Sequence, residues 1–348
     1  MAEQQLKRFR ENTRRHKIAN STGIQAIDFA NTYNYDLDKI GLCTGVWLKV
    51  SGNVQIVTST GVLTNQGPWN LFDRIKVKTA SGAALFDATG YDTYQLNKRL
   101  KRGTGPDGAG VYTPPLHVFN ASGTVGANAW ALHLWLPFSE NRGSLFESGI
   151  FGLQSNVTQA TVELTTTATG TNVISNFSSE TLTTELFNEY YEPPLEGSNV
   201  AMPPAYVIKT ITTQYPVVAA GEQLLEVPRQ GILLDAQLLF VNNNARSNTL
   251  DHVRFRTNYG DYFEHQPPSI NAADYMDLYG LAPDTGVFVF DFDSAGDLPK
   301  TGDMRDVFNL LKYSKSEIVA TITSGTTITQ PAFLRLMTRH WLPAKVVR

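Results

Sequence analysis

The stretch DFDSAGD, residues 291–297, is the first place where residue types and spacing suggest chemistry. Asp291, Asp293, Gly296 and Asp297 stand at positions 1, 3, 6 and 7 of a calcium-loop pattern. Hard cations take several oxygen ligands, and acids at alternate positions of a turn supply them. The closing position calls for a bidentate Glu, and Gly302 stands there instead. An acidic loop at the end of a strand accounts for the same residues, so Asp291, Asp293 and Asp297 are metal candidates only.

Other constellations are weaker. Glu140 and Glu147 have the chemistry of a glycosidase pair, yet Ser144 and Glu147 also spell a helix capping box, S-x-x-E. His117, His133, His252, His265 and His340 show no H-x-H or H-E-x-x-H spacing. Core or interface positions are their default. There is no G-x-S-x-G elbow and no phosphate-binding glycine motif. The glycine-rich stretch 103–110 follows a basic cluster rather than a strand, and reads as a loop. No catalytic residue and no cofactor is expected.

Two basic clusters remain. Residues 1–19 carry Lys7, Arg8, Arg10, Arg14, Arg15 and Lys17 against Glu3 and Glu11, while the whole chain has a net charge of -3. A basic arm on an acidic body suits contact with an anion: nucleic acid, a membrane surface or an acidic neighbour. A solvated tail is the alternative. Lys98, Arg99, Lys101 and Arg102 form the second cluster, which suits either a helix C-terminus or an anionic contact.

The chain that must position these groups has 348 residues, 42% of them hydrophobic and only 18% charged, enough for two cores. Its one cysteine, Cys43, lies in an apolar strand pattern and reads as a core residue. No apolar run marks a signal peptide, and none is long enough for a membrane helix. The four Asn-x-Ser/Thr sites, at Asn20, Asn120, Asn156 and Asn176, are then chance matches in an Asn/Thr-rich chain.

Period-two alternation dominates. Val46, Leu48 and Val50 alternate with Trp47 and Lys49; Trp130, Leu132, Leu134 and Leu136 alternate with Ala131, His133 and Trp135. Such patterns are strands with one buried face, and Gly/Pro/Asn turns separate them. The expectation is an all-β chain. GPWNLFDRIKV, 67–77, reads as a turn, an aromatic anchor and a core strand.

The segment PPLEGSNVAMPP, 193–204, reads as a linker. This divides the chain into a basic arm 1–19, a first domain 20–192, the Pro-rich linker 193–204 and a second domain 205–348. The halves echo each other: strand, loop, short helix, strand. Helices are predicted at 144–153 and at 303–311, the second from Met304, Val307, Phe308 and Leu311 at helical spacing.

Taken together, residues 40–56, 67–97, 134–164, 206–217 and 332–343 resemble the major capsid proteins of tectiviruses, in the lineage that includes the adenovirus hexon. The resemblance implies two eight-stranded jelly-roll β-barrels side by side, each with a short helix between strands. It further implies a homotrimeric, pseudo-hexagonal capsomer in the icosahedral shell of a tailless, double-stranded DNA bacteriophage with an internal membrane. The partners would be neighbouring capsomers, minor capsid and vertex proteins, and the internal lipid; the location would be the virion, after assembly in the host cytoplasm. Short loops, especially in the second half, leave little room for outer towers. Two alternatives stand beside this reading: a two-domain β-sandwich carbohydrate-binding or spike protein, and a hydrolase on a jelly-roll scaffold.

Overall fold

A computed structural model describes residues 13–58, 60–100, 122–123, 125–139, 151–152, 159–194, 200, 206–258, 260–265, 269–292 and 308–343. The chain divides into two compact units, the second comprising chiefly Thr210–Leu342 and the first chiefly the residues up to Lys209. Most of the expected linker, 195–199 and 201–204, lies outside the described residues.

The first unit contains β1 (Arg15–Ala19), β2 (Gln25–Ile27), β3 (Thr32–Asp36), β4 (Leu42–Ile56), β5 (Gly61–Val62), β6 (Phe72–Thr79), β7 (Ala84–Ala88), helix α1 (Gly90–Arg99), β8 (Ser122–Gly123), β9 (Gly126–Pro137), β10 (Phe151–Gly152), β11 (Ala160–Thr166) and β12 (Phe177–Tyr191). One sheet runs β1–β12–β4–β9, with β2 beside β12 and β10 continuing along β4; the other runs β3–β11–β6–β7. The second unit contains β13 (Tyr206–Pro216), β14 (Gly221–Glu226), β15 (Ile232–Asn242), β16 (Ala245–Arg246), β17 (Leu250–Thr257), β18 (Gly260–His265), helix α2 (Ser269–Tyr279), β19 (Val287–Asp291), β20 (Phe308–Asn309), β21 (Ser316–Ile322) and β22 (Phe333–Pro343). Its sheets run β13–β22–β15–β19, with β20 continuing along β15, and β14–β21–β17–β18.

The same order therefore appears in both units. Counting the principal strands, one sheet takes the first, last, third and sixth, and the other the second, seventh, fourth and fifth. That is the eight-stranded jelly roll, and a helix follows the fifth strand each time.

Alternation fills each core. Val46, Leu48 and Val50 of β4 meet Leu132, Leu134 and Leu136 of β9, all fully buried. In the second unit Leu238, Phe240, Phe255, Phe290, Ile318 and Leu334 share one cluster. Burying each such side chain stabilises the fold by about 2 kcal/mol. Cys43 is buried, as its apolar setting implied, and burial pushes its thiol up to about 12. Gly45 is required by space: a Cβ there would come within 2.3 Å of the Trp135 ring. The Gly67–Trp69 turn also acts as expected. Trp69 is buried and stacks on Tyr94 of α1, ring centroids 4.1 Å apart, while a Cβ on Gly90 would strike the Trp69 carbonyl oxygen.

Where described residues overlap the predicted helices 144–153 and 303–311, they form strand or a 3-10 turn, and the described helices α1 and α2 lie elsewhere. Phe151 and Gly152, expected to end a helix, form β10 on Cys43 and Leu42; 144–150 and the Ser144/Glu147 capping box lie outside the described residues. Phe308 and Asn309 form β20 against Leu233 and Ile232, and a single 3-10 turn, Leu310–Lys312, follows. The Asn309 side chain accepts from the Leu311 N–H and starts that turn. Leu311, placed by periodicity on a buried face, is 62% exposed, whereas Leu310 is fully buried. Strand pairing beside β15 outweighs a four-residue helical match.

Outside the cores, the β3–β11–β6–β7 and β14–β21–β17–β18 sheets carry cross-strand ion pairs. Arg74 pairs with Asp87 at 2.6 Å and Lys78 with Glu163; Arg254 pairs with Glu222 and Arg256 with Glu317, both at 3.1 Å. Glu317 also meets Lys315 at 2.5 Å. Burial alone raises the Glu317 carboxyl, but hydrogen bonds from Lys315 and Arg256 outweigh burial and hold it below the ordinary 4.5. A carboxyl acidified by folding stabilises the fold above its ordinary range, and that stability is lost as pH falls through it. Glu317→Gln should therefore cost about 1 kcal/mol at neutral pH and flatten the acid limb of the stability curve below pH 4.5. Urea denaturation across pH 3–7 checks both.

Candidate functional site

The functional surfaces of this fold are its faces and edges, and the basic arm joins one of them. Residues 15–19, assigned to the arm by composition, form strand β1 at the edge of the first sheet, antiparallel to β12. Their cations are engaged there. Arg15 lies 3.8 Å from the buried carboxylate of Glu189. His16 stacks on Tyr190, centroids 5.2 Å apart. Lys17 reaches across β12, its Nζ 5.4 Å from the Phe187 ring and 4.9 Å from the Trp47 ring of β4. An exposed ammonium over an indole face holds an edge strand that buries none of its own side chains. Lys7, Arg8 and Arg10 lie outside the described residues; Arg14 accepts a backbone hydrogen bond from Glu192.

The same face continues to β9. Lys49 stands opposite both His133 and Glu185, and its Nζ is 3.3 Å from the Glu185 carboxylate. His133 is half-buried; burial first, then the Lys49 and Lys17 charges, lower its pKa. Burial and the two lysine charges disfavour the protonated form of this imidazole.

The second basic cluster begins inside α1. Thr89 caps that helix: the Asp92 N–H donates to the Thr89 hydroxyl, which donates to the Asp92 carboxylate. Lys98 and Arg99 close its last turn, where cations offset the helix dipole, and Arg99 is buried. Lys101 and Arg102 lie outside the described residues.

The decisive residue here is a neighbour of those cations that carries no charge. Asn97, fully buried, donates from Nδ2 to the Trp135 carbonyl at 2.8 Å and accepts the Trp135 N–H at 2.7 Å. In the second unit Asn271 of α2, 3% exposed, donates to the Val287 carbonyl at 2.9 Å and accepts the Val289 N–H at 3.2 Å. Residue patterns did not point to either.

The candidate calcium loop resolves at one end only. Asp291 is the last residue of β19 and accepts a hydrogen bond from the Tyr279 hydroxyl; Asp293 and Asp297 lie outside the described residues. Its cross-strand neighbour Asp235 is buried and receives Arg339 Nε at 2.5 Å. Among the described residues no three His, Cys, Asp or Glu side chains gather as a metal site. Glu140 and Glu147 lie outside them.

This is a scaffold of two jelly rolls in one chain, and solved structures similar to it include viral coat proteins. The MCP of STIV, Sulfolobus Turreted Icosahedral Virus, superposes with a TM-score of 0.71 at 13% identity, over 95% of this chain and 97% of that one. PBCV-1 VP54 gives 0.68 at 12%, over 95% and 94%. The major capsid protein P2 of bacteriophage PM2 gives 0.58 at 12%, over 94% and 97%. At such identities the likeness defines the fold, a double jelly roll. No family model and no curated protein sequence matches the chain.

Lys17→Ala should loosen β1 by about 0.5–1 kcal/mol, seen as faster hydrogen exchange over residues 15–19. It also removes one of the charges that lower His133, so the His133 imidazole should titrate at a higher pH, as read by its ring proton shifts.

Proposed function

We propose that this chain is a viral major capsid protein, non-enzymatic, and that three copies make one capsomer. The supporting observation is the likeness to viral coat proteins over nearly the full length of both chains, covering both units. A single jelly roll would account for half of that. Two barrels of one topology per chain give six similar lobes per trimer, a shape that tiles a flat facet as a hexamer would. The chemistry required is rigidity and complementary surfaces, which buried cores and ion-pair faces supply.

On this reading the partners are other copies of the chain, with minor capsid and vertex proteins where facets meet. The shell is that of a tailless double-stranded DNA bacteriophage enclosing a lipid membrane, assembled in the host cytoplasm. Lys7, Arg8, Arg10 and Arg14 are proposed to meet an anionic surface, whereas Arg15 and Lys17 hold β1. The carbohydrate-binding alternative needs aromatics on an open sheet face. The outward faces of the β3–β11–β6–β7 and β14–β21–β17–β18 sheets carry cross-strand ion pairs instead, and on the first sheet of the first unit Lys17 lies over Trp47 and Phe187.

Sedimentation equilibrium at micromolar concentration and physiological salt should return three times the 38.4 kDa chain mass, and negative-stain images should show pseudo-hexagonal particles. A monomer under those conditions overturns the reading.

A further inference from the structure

A strand at the end of a sheet presents a row of N–H and C=O groups to any chain that can pair with it. In each unit the sixth principal strand is one such end. Among the described residues, β9 pairs only with β4 and β19 only with β15. Their second edges meet a helix carboxamide. On β9, the N–H and C=O of one residue, Trp135, bond to one amide; that is the pair of groups an antiparallel neighbour would engage. On β19, the Val287 C=O and Val289 N–H bond to one amide, the spacing a parallel neighbour would engage.

The two amides arrive by different routes. Asn97 sits near the end of α1, 38 residues before its target; Asn271 is the third residue of α2, 16 to 18 residues before its own. The intervening chains differ in length and in sequence, yet each delivers an Asn, the side chain that matches a backbone amide in donor and acceptor. A recurrence of chemistry without a recurrence of position points to a requirement at the edge itself.

We propose that Asn97 and Asn271 are edge guards: they fill the pairing positions of β9 and β19, and so keep a second copy of this chain from adding a strand there. For a protein that must associate through faces at high local concentration, an open edge in each barrel would compete with correct assembly. The inference holds for a monomer as well as for a capsomer and does not depend on the capsid reading.

The test uses the full chain with Asn97→Ala, Asn271→Ala and their combination, beside Leu132→Ala as a control. Leu132 lies on β9 in the core, so its truncation weakens the unit and leaves Asn97 in place. Proteins are compared by sedimentation velocity and thioflavin fluorescence, at temperatures set to equal distance from each variant's melting point. The Asn variants are expected to form species larger than the wild-type assembly, several-fold more abundant at equal concentration. Hydrogen exchange of the Trp135 and Val289 amides should quicken in the smallest species and slow again in the large ones. Asn97→Asp and Asn271→Asp keep the acceptor and lose the donor; they carry the same comparison if an Ala variant does not fold. The proposal is overturned if Leu132→Ala associates to the same extent, or if every folded Asn variant keeps the wild-type mass.

Discussion

Each unit depends on the return of its last strand to a slot between the first and the third. β12 lies between β1 and β4, and pairs with β4 from Phe177↔Ile56 to Tyr191↔Leu42. β22 takes the same place against β15. The β12–β4 and β22–β15 contacts join residues 92 to 149 positions apart, so loop-closure entropy is spent before any of them forms. Until β12 arrives, β1 and β2 have no described partner and one edge of β4 is open. Everything peripheral to that slot is arranged to keep it available or to hold what it admits. Lys17 over Trp47 and Phe187 is an instance, fastening β1 to a strand two places away.

The slot also dictates which faces carry charge. A strand buried on one side alternates, and the outward positions of β6, β11, β17 and β21 take cations and carboxylates that pair across strands. Exposed pairs of this kind contribute little stability each. What they do is keep the sheet face solvated while fixing a pattern of charge on it. β15 differs: it is buried along nearly its whole length on both sides, so its outward Asp235 cannot rely on water and takes Arg339 instead. Removing one member of such a buried pair would leave the other uncompensated.

Much of this was legible in sequence because period-two alternation is a direct consequence of pleating. β4 and β9 stand where Val46–Val50 and Trp130–Leu136 put them. The jelly-roll order came from resemblance, since alternation does not tell a strand which neighbour to choose. The helices were missed for a physical reason. In α1 the buried positions include Asp92, Thr93, Gln95 and Asn97 along with Tyr91 and Leu96, so an apolar stripe never forms. α2, SINAADYMDLY, is equally mixed. Conversely, Met304, Val307, Phe308 and Leu311 match a helical stripe by spacing, but spacing cannot register that β15 offers unpaired groups to Phe308 and Asn309. The basic arm shows the same limit: composition counts Arg15 and Lys17 with Lys7 and Arg8, and only strand pairing shows that Arg15 and Lys17 fasten the fold.

Two units of one topology with almost no shared sequence show where the constraint lies. The first sheet of unit one presents Trp47, Phe187 and Lys49 on its outward side; the corresponding sheet of unit two presents Asp235, Gln237 and Arg339. Packing chemistry was free to diverge. Strand order, a short continuation strand beside the third strand (β10 on β4, β20 on β15), and an amide on the sixth strand's outer edge were not. Hydrophobic contacts are non-directional and tolerate exchange of one apolar residue for another at similar volume. Backbone hydrogen bonds are directional and must be satisfied wherever water is excluded. A barrel can therefore rewrite its core and its faces while its edges stay fixed, and two such barrels can keep a common outline although they share almost nothing that an alignment would see.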